Sequence, residues 1–165
     1  MSARIRDARW LMAVIAIVII VLDRLTKLRV EAKVQLGHHV AVIPRYFWIS
    51  NVRNTGAAFS MFDSVKSQLL VRDLLVAFSI AAVLVVLIVL WRVGRTVSVT
   101  SVALALILGG AVGNLYDRLV LRYVVDFLEV HIHSYHWPDF NVADSAIVVG
   151  ACLLLIEMLR PQRAD

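Results

Sequence analysis

The chain has 165 residues, 61% of them hydrophobic and 18% charged, with a mean hydropathy of +0.81. Average soluble domains are about 45–50% apolar and about 25% charged, so disorder and an ordinary water-soluble globule are both excluded as readings. The net charge is +5, but the basic residues border apolar runs and no nucleic-acid motif occurs, so membrane topology and lipid explain the charge and no nucleic-acid partner is expected.

A bilayer core of ~30 Å needs about 20 apolar residues in a helix. Four segments approach this: about 10–28, 74–91, 96–116 and 142–159. The first opens with WLMAVIAIVIIVL and follows Arg4, Arg6 and Arg9, as a signal peptide would. No small-residue cleavage site follows, so it reads as an uncleaved first span. The loop at about 29–73 contains VAVI (40–43), Pro44 and YFWI (46–49), which predict a short β-hairpin on the membrane surface. The loop at about 117–140 is polar and aromatic, with Pro138 just ahead of the fourth span. The expected fold class is therefore an α-helical integral membrane protein with four transmembrane helices and a small extracytoplasmic β-structure in the first outside loop. Residues 1–165 form one membrane-embedded domain. Arg4, Arg6, Arg9, Arg92, Arg95, Arg160 and Arg163 crowd the short segments on one side, which predicts cytoplasmic termini.

The unusual residues gather on the opposite face. They are Asn51 and NTGAAFS (54–60), GGAVGNLYDR (109–118), VVDF (124–127) and FNVADS (140–145). Acids and amides at a bilayer edge mark a functional site. Asn141 and Asp144 also have the spacing of a capping box at the start of the fourth span. Asp126 is a charge inside an apolar stretch, costly unless paired or wet. The adjacent Asp117 and Arg118 suggest a structural pair, and Gly109, Gly110 and Gly113 suggest close helix packing. Asn54-Thr55-Gly56 reads as a turn.

Other chemistries lack their residues. No HExxH, GxSxG or Walker lysine occurs, and Cys152 lies among leucines in the fourth span. His131, His133 and His136 are close in sequence but lack a helical i, i+4 face, so no metal and no other cofactor is expected. Two carboxylates sharing a proton remain, one acting on a water and the other on a scissile carbonyl. The spacing alone leaves open whether Asp126 and Asp144 meet. A transporter lined by aspartates, or a non-catalytic scaffold, stays as the alternative; the gathering of the acids at one face counts against the transporter.

Together, DRLTK (23–27), NTGAAFS, GGAVGNLYDR, VVDF and FNVADS resemble the bacterial lipoprotein signal peptidases, or signal peptidase II. The resemblance spans most of the chain. It implies an aspartic endopeptidase of the inner membrane, with its active site at the periplasmic face. Such an enzyme removes the signal peptide from a diacylglyceryl-modified prolipoprotein, cutting just before the lipidated cysteine. On matching positions the catalytic pair is Asp126 and Asp144. Asn54, Gly56, Asn114, Asp117, Arg118, Asn141 and Asp23 bind substrate or support the site, with Asp117 as the alternative dyad member. Phe59, Trp137 and Phe140 are aromatics able to cover it. The implied partners are the prolipoprotein signal peptide and membrane lipid, and the enzyme is expected to be monomeric. The HIHSYH segment is not explained by the resemblance.

Overall fold

The computed structural model describes residues 7–56, 65–133 and 135–160. Four long helices carry a small antiparallel sheet at one end. In chain order the elements are α1 (Arg9–Lys33), β1 (His39–Ile43), β2 (Phe47–Asn54), α2 (Val65–Val93), α3 (Val99–Val120), β3 (Val124–Ile132), β4 (Tyr135–His136) and α4 (Val142–Leu159). Three helical stretches, Leu69–Val93, Val99–Val120 and Val142–Leu159, are long and apolar enough to cross a membrane. The outward side chains of α2, such as Leu74, Phe78, Leu84 and Trp91, are exposed hydrophobics that a lipid phase would cover. α1 is as long as these helices, but its second half carries Asp23, Arg24, Lys27 and Arg29.

Local signals set the helix ends. Ser98 caps α3 by a capping box with Ser101, and Asn141 caps α4 by one with Asp144, as the spacing predicts. At the end opposite the sheet, the Ala8 amide donates to the Arg95 carbonyl, and the Arg9 guanidinium lies 4.1 Å over the Trp91 ring. The start of α1 is thereby tied to the α2–α3 turn.

Glycines let the helices approach closely. A Cβ on Gly110 would lie 2.3 Å from the Ala143 carbonyl oxygen, and one on Gly113 would lie 2.9 Å from Asp23 Oδ2. Without a hydrophobic drive between helices in lipid, such backbone approach is a main source of packing. It draws α4 onto α3 and both onto α1. An apolar cluster of Met12, Ala16, Leu90, Leu104, Ala105 and Leu108 fills the body of the bundle. A second, of Val30, Val34 and Phe127, joins α1 to the sheet.

The sheet is larger than the sequence suggests. Its order is β1-β2-β3-β4, so the second outside loop contributes two strands beside the expected hairpin. Two features depart from regular strand patterning, one in β3 and one in β2. The first four residues of β3, Val124 to Phe127, are all buried, which erases polar–apolar alternation. Its partner β2 carries an irregularity between Ile49 and Val52 that turns both Ser50 and Asn51 inward. Asn51 then donates to the Val34 carbonyl at the end of α1 (2.7 Å), and Ser50 donates to Asp139 (2.6 Å). These two bonds fasten the sheet to α1 and to the segment leading into α4.

Candidate active site

Five elements bring the unusual residues together. α1 supplies Asp23 and Lys27, the end of β2 supplies Asn54, α3 supplies Asn114 and Asp117, the start of β3 supplies Asp126, and the cap of α4 supplies Asn141 and Asp144. Asp23, Lys27, Asn114, Asp117, Asp126 and Asn141 are all buried, while Asp144 is partly open.

Asp126 and Asp144 share Asn141. The Asn141 side-chain amide donates to Asp126 Oδ1 at 2.7 Å, and the Asn141 backbone N–H donates to Asp144 Oδ2 at 3.2 Å. Two further amides reach the pair: Asn114 donates to Asp144 Oδ1 at 2.7 Å, and Asn54 donates to Asp126 Oδ2 at 2.9 Å.

Each of these three carboxamides has its direction fixed from behind. An amide oxygen can only accept and its nitrogen can only donate. Asn114 Oδ1 faces Lys27 Nζ at 3.2 Å, and an ammonium has only donors. The nitrogen of Asn114 must therefore face Asp144. Asn54 Oδ1 accepts the Gly56 backbone N–H at 2.8 Å, and Asn141 Oδ1 accepts the Asp144 N–H at 2.9 Å. Gly56 makes this turn at φ +77, a conformation that favours glycine. All three amides thus present N–H groups to the two carboxylates.

Beneath them lies an ionic core. Lys27 Nζ is 2.7 Å from Asp23 Oδ2 and 2.8 Å from Asp117 Oδ2. Asp23 Oδ1 accepts the Ala143 N–H at 2.9 Å, and Asp117 Oδ2 accepts the Val125 N–H at 3.3 Å. The same two acids therefore anchor the start of α4 and the start of β3. The Arg24 guanidinium adds a second cation 3.6 Å from Asp117 Oδ1. Two cations balance Asp23 and Asp117, leaving the Asp126–Asp144 pair with its own negative charge. Burial pushes the Asp126 carboxyl up to about 6. The Asn54 hydrogen bond opposes this, the Asp144 charge adds to it, and Asn141 and Lys27 oppose it.

Asp117 does not pair with Arg118, contrary to the reading of those neighbours as a couple. Successive helical residues face different ways, and Arg118 instead donates to the Asn114 carbonyl at 3.3 Å. With Asn54, Arg72, Leu75 and Tyr123, it lines a small open pocket beside Asp126's hydrogen-bond partner. The sequence reading assigned Lys27 no role. Its signal was an aspartate and a lysine at i, i+4 within an otherwise apolar helix, where unpaired charge is expensive. Phe140 is tied by backbone bonds to Phe127 and Leu128, Trp137 is exposed, and Phe59 lies outside the described residues. The histidines sit further along β3 and on β4, away from this network.

Comparison with known proteins agrees with the geometry. The family model described as signal peptidase (SPase) II matches residues 15–160. The chain belongs to the signal peptidase II family. It is 44% identical over 157 residues to a lipoprotein signal peptidase of Solibacter usitatus, covering 95% of each chain. It is 43% identical over 165 residues to one of Pseudomonas putida, covering 99% of this chain and 94% of that one. Two solved structures, each described as a bacterial membrane enzyme determined by the in meso method, share the fold. One has TM-score 0.77 at 26% identity, covering 93% of this chain and 94% of that one. The other has TM-score 0.73 at 28% identity, covering 92% and 94%. Membership in the family makes this chain a peptidase of the bacterial inner membrane.

Proposed function

We propose that the chain is an aspartic endopeptidase that frees diacylglyceryl-modified prolipoproteins of their signal peptides, cutting just before the lipidated cysteine. The observation that carries the reading is the single residue Asn141, whose side-chain amide donates to Asp126 and whose backbone N–H donates to Asp144. That arrangement supports a pair of carboxylates acting on one water. In the singly protonated pair, the ionised carboxylate takes a proton from the water as its oxygen attacks the scissile carbonyl carbon. The protonated carboxyl gives its proton to the carbonyl oxygen. The tetrahedral diol then collapses, a carboxyl returns a proton to the amide nitrogen, and the C–N bond breaks. The products are the signal peptide with a new carboxylate and the lipidated cysteine with a free amine.

Residues 1–165 act as one membrane-embedded domain with four spans, α1 being the fourth. The mutual burial of Asp23 and Lys27 supports this, because each neutralises the other inside the bundle. The site opens at the periplasmic face and the termini are cytoplasmic, which agrees with the dense arginines at the end tied by Arg9, Trp91 and Arg95. Asn54, Gly56, Asn114 and Asn141 hold the dyad, Asp23 and Asp117 hold the elements that carry it, and Arg118 meets the substrate backbone in the pocket beside Asn54. The enzyme works as a monomer, and its acylated substrate arrives sideways through membrane lipid.

The test is cleavage of a synthetic diacylglyceryl lipopeptide by the purified enzyme in detergent. A product that starts at the lipidated cysteine supports the reading. An intact lipopeptide, with the enzyme folded, rejects it.

A further inference from the structure

Glu129, His131 and His136 form a cluster that peptide cleavage does not use. Glu129 and His131 are two apart on β3 and so share a face, and His136 on β4 is the direct partner of His131. The candidate ligand atoms of all three lie within 4.8 Å of one another. Glu129 is buried, His131 is partly buried and His136 is exposed. His131 Nε2 is 2.5 Å from Glu129 Oε1, and His39 Nδ1 on β1 contacts the other oxygen, Oε2. The His131 ring is sandwiched between Trp48, at 5.8 Å, and His136, at 3.9 Å.

We propose that Glu129, His131 and His136 bind a divalent transition-metal ion, with zinc the fitting class. Two imidazoles and one carboxylate are a recurrent donor set for such ions and leave a fourth position for water. Zinc–nitrogen bonds of about 2.0–2.1 Å in a tetrahedral site require donors about 3.3 Å apart. To reach this spacing the exposed His136 side chain rotates inward, and Glu129 Oε1 and His131 Nε2, 2.5 Å apart, separate by about 0.8 Å as the ion replaces their direct contact. His39 then acts behind the ligands, holding the second carboxylate oxygen as outer partners of metal ligands do. Trp48 walls one side of the site. Hard ions such as magnesium prefer oxygen donors and do not fit this set. The ion would clamp β4 to β3, next to the segment that leads to the Asn141 cap. It takes no part in bond cleavage.

The experiment uses untagged, full-length enzyme in detergent, stripped with a chelator and then titrated calorimetrically with zinc chloride. One equivalent binds at micromolar concentration and raises the melting temperature, while magnesium does neither. His136→Gln and Glu129→Gln bind at least about tenfold more weakly, and His39→Gln weakens binding by about tenfold as well. His133→Asn and His38→Gln bind as the wild type does, because neither side chain belongs to the cluster. Equal far-ultraviolet circular dichroism and metal-free melting of wild type and His136→Gln show that the ligand variant is folded. The proposal is overturned if the wild type binds no zinc at tens of micromolar. Unchanged binding in both His136→Gln and Glu129→Gln, or loss of binding in His133→Asn, overturns it equally.

Discussion

Lys27 Nζ lies 2.8 Å from Asp117 Oδ2, joining the second half of α1 to the last turns of α3. Because Asp117 also accepts the Val125 N–H, this ion pair sets where β3 begins and so where Asp126 stands. Lys27→Met would leave Asp23 and Asp117 buried without their shared cation. Removing one partner of a buried ion pair costs about 3–5 kcal/mol. The expected result is a sharp loss of folded protein in detergent, read by size-exclusion yield and melting temperature. Adding Asp23→Asn and Asp117→Asn to Lys27→Met should restore much of the yield, since neutral amides carry no uncompensated charge. Turnover should stay low, because Asn114 has lost the ammonium that fixes its orientation toward Asp144. Full turnover in this triple variant would show that the orientation does not matter.

Asp117→Asn alone weakens the same core, and its effect should fall on yield and melting temperature more than on turnover. A dead but stable Asp117→Asn enzyme would make Asp117 the second member of the dyad in place of Asp144 or Asp126.

Much of this site was legible in the chain. The apolar runs give the helices, and the Asn141–Asp144 spacing gives the α4 cap. The clustering of asparagines and aspartates on one side gives the face. The link between Asp126 and Asp144 was not legible, because it depends on Asp117 holding the Val125 N–H at the start of β3 and on Asn141 reaching both acids. β3 itself was hidden by the burial of Val124 to Phe127, whereas β2 was legible from YFWI as far as the irregularity that turns Ser50 and Asn51 inward. The partner of Asp117 was misread because adjacency in sequence is not adjacency on a helix. The three amide directions needed the atoms behind each oxygen.

The raised pKa of Asp126 predicts the pH dependence of cleavage. Its acid form, and hence the singly protonated pair, is lost as pH rises through about 6. In the free enzyme kcat/KM should fall above this value, with the apparent pKa belonging to the pair. A bound signal peptide excludes water and should move the corresponding limb of kcat upward. A kcat/KM that stays level from weakly acidic to alkaline pH would contradict the shared proton.

The same shift has a cost in stability. Asp126 is 3% exposed, and its folded pKa of about 6 stands above the ordinary aspartate value of 3.8. The folded state therefore holds the proton more tightly, and stability from this group is lost as pH rises between those two values. The loss is on the order of 3 kcal/mol. Asp126→Asn lacks this dependence. Its melting temperature relative to wild type should rise with pH across that window and level off above it. A difference that is constant with pH would show that the carboxyl is not perturbed.

Chelation separates the two sites. Because the dyad chemistry draws on carboxylates and water, EDTA should leave single-turnover cleavage unchanged while lowering the melting temperature of zinc-loaded enzyme. Strong inhibition reversed by zinc would move the chemistry to the histidine cluster.

Topology is tested by cysteine accessibility in a Cys152→Ala background. His38→Cys, at the sheet end, should be labelled from outside the cytoplasmic membrane, and Arg95→Cys only after permeabilisation. Labelling of position 95 from outside would invert the orientation.

The central claim is that Asp126 and Asp144 act as one unit on one water. It is tested most directly by single-turnover cleavage of a diacylglyceryl lipopeptide by Asp126→Asn, Asp144→Asn and the double variant, with lipopeptide binding measured separately. Each single change should slow cleavage by about 10²–10⁴-fold or more. The double change should cost little beyond either one, since groups acting as a unit are non-additive. Binding and yield should persist, because Asn141 remains the α4 cap and an asparagine at position 144 can still accept the Asn141 N–H through its side-chain oxygen. Near-normal cleavage by either single variant, or losses that multiply in the double variant, would contradict the dyad.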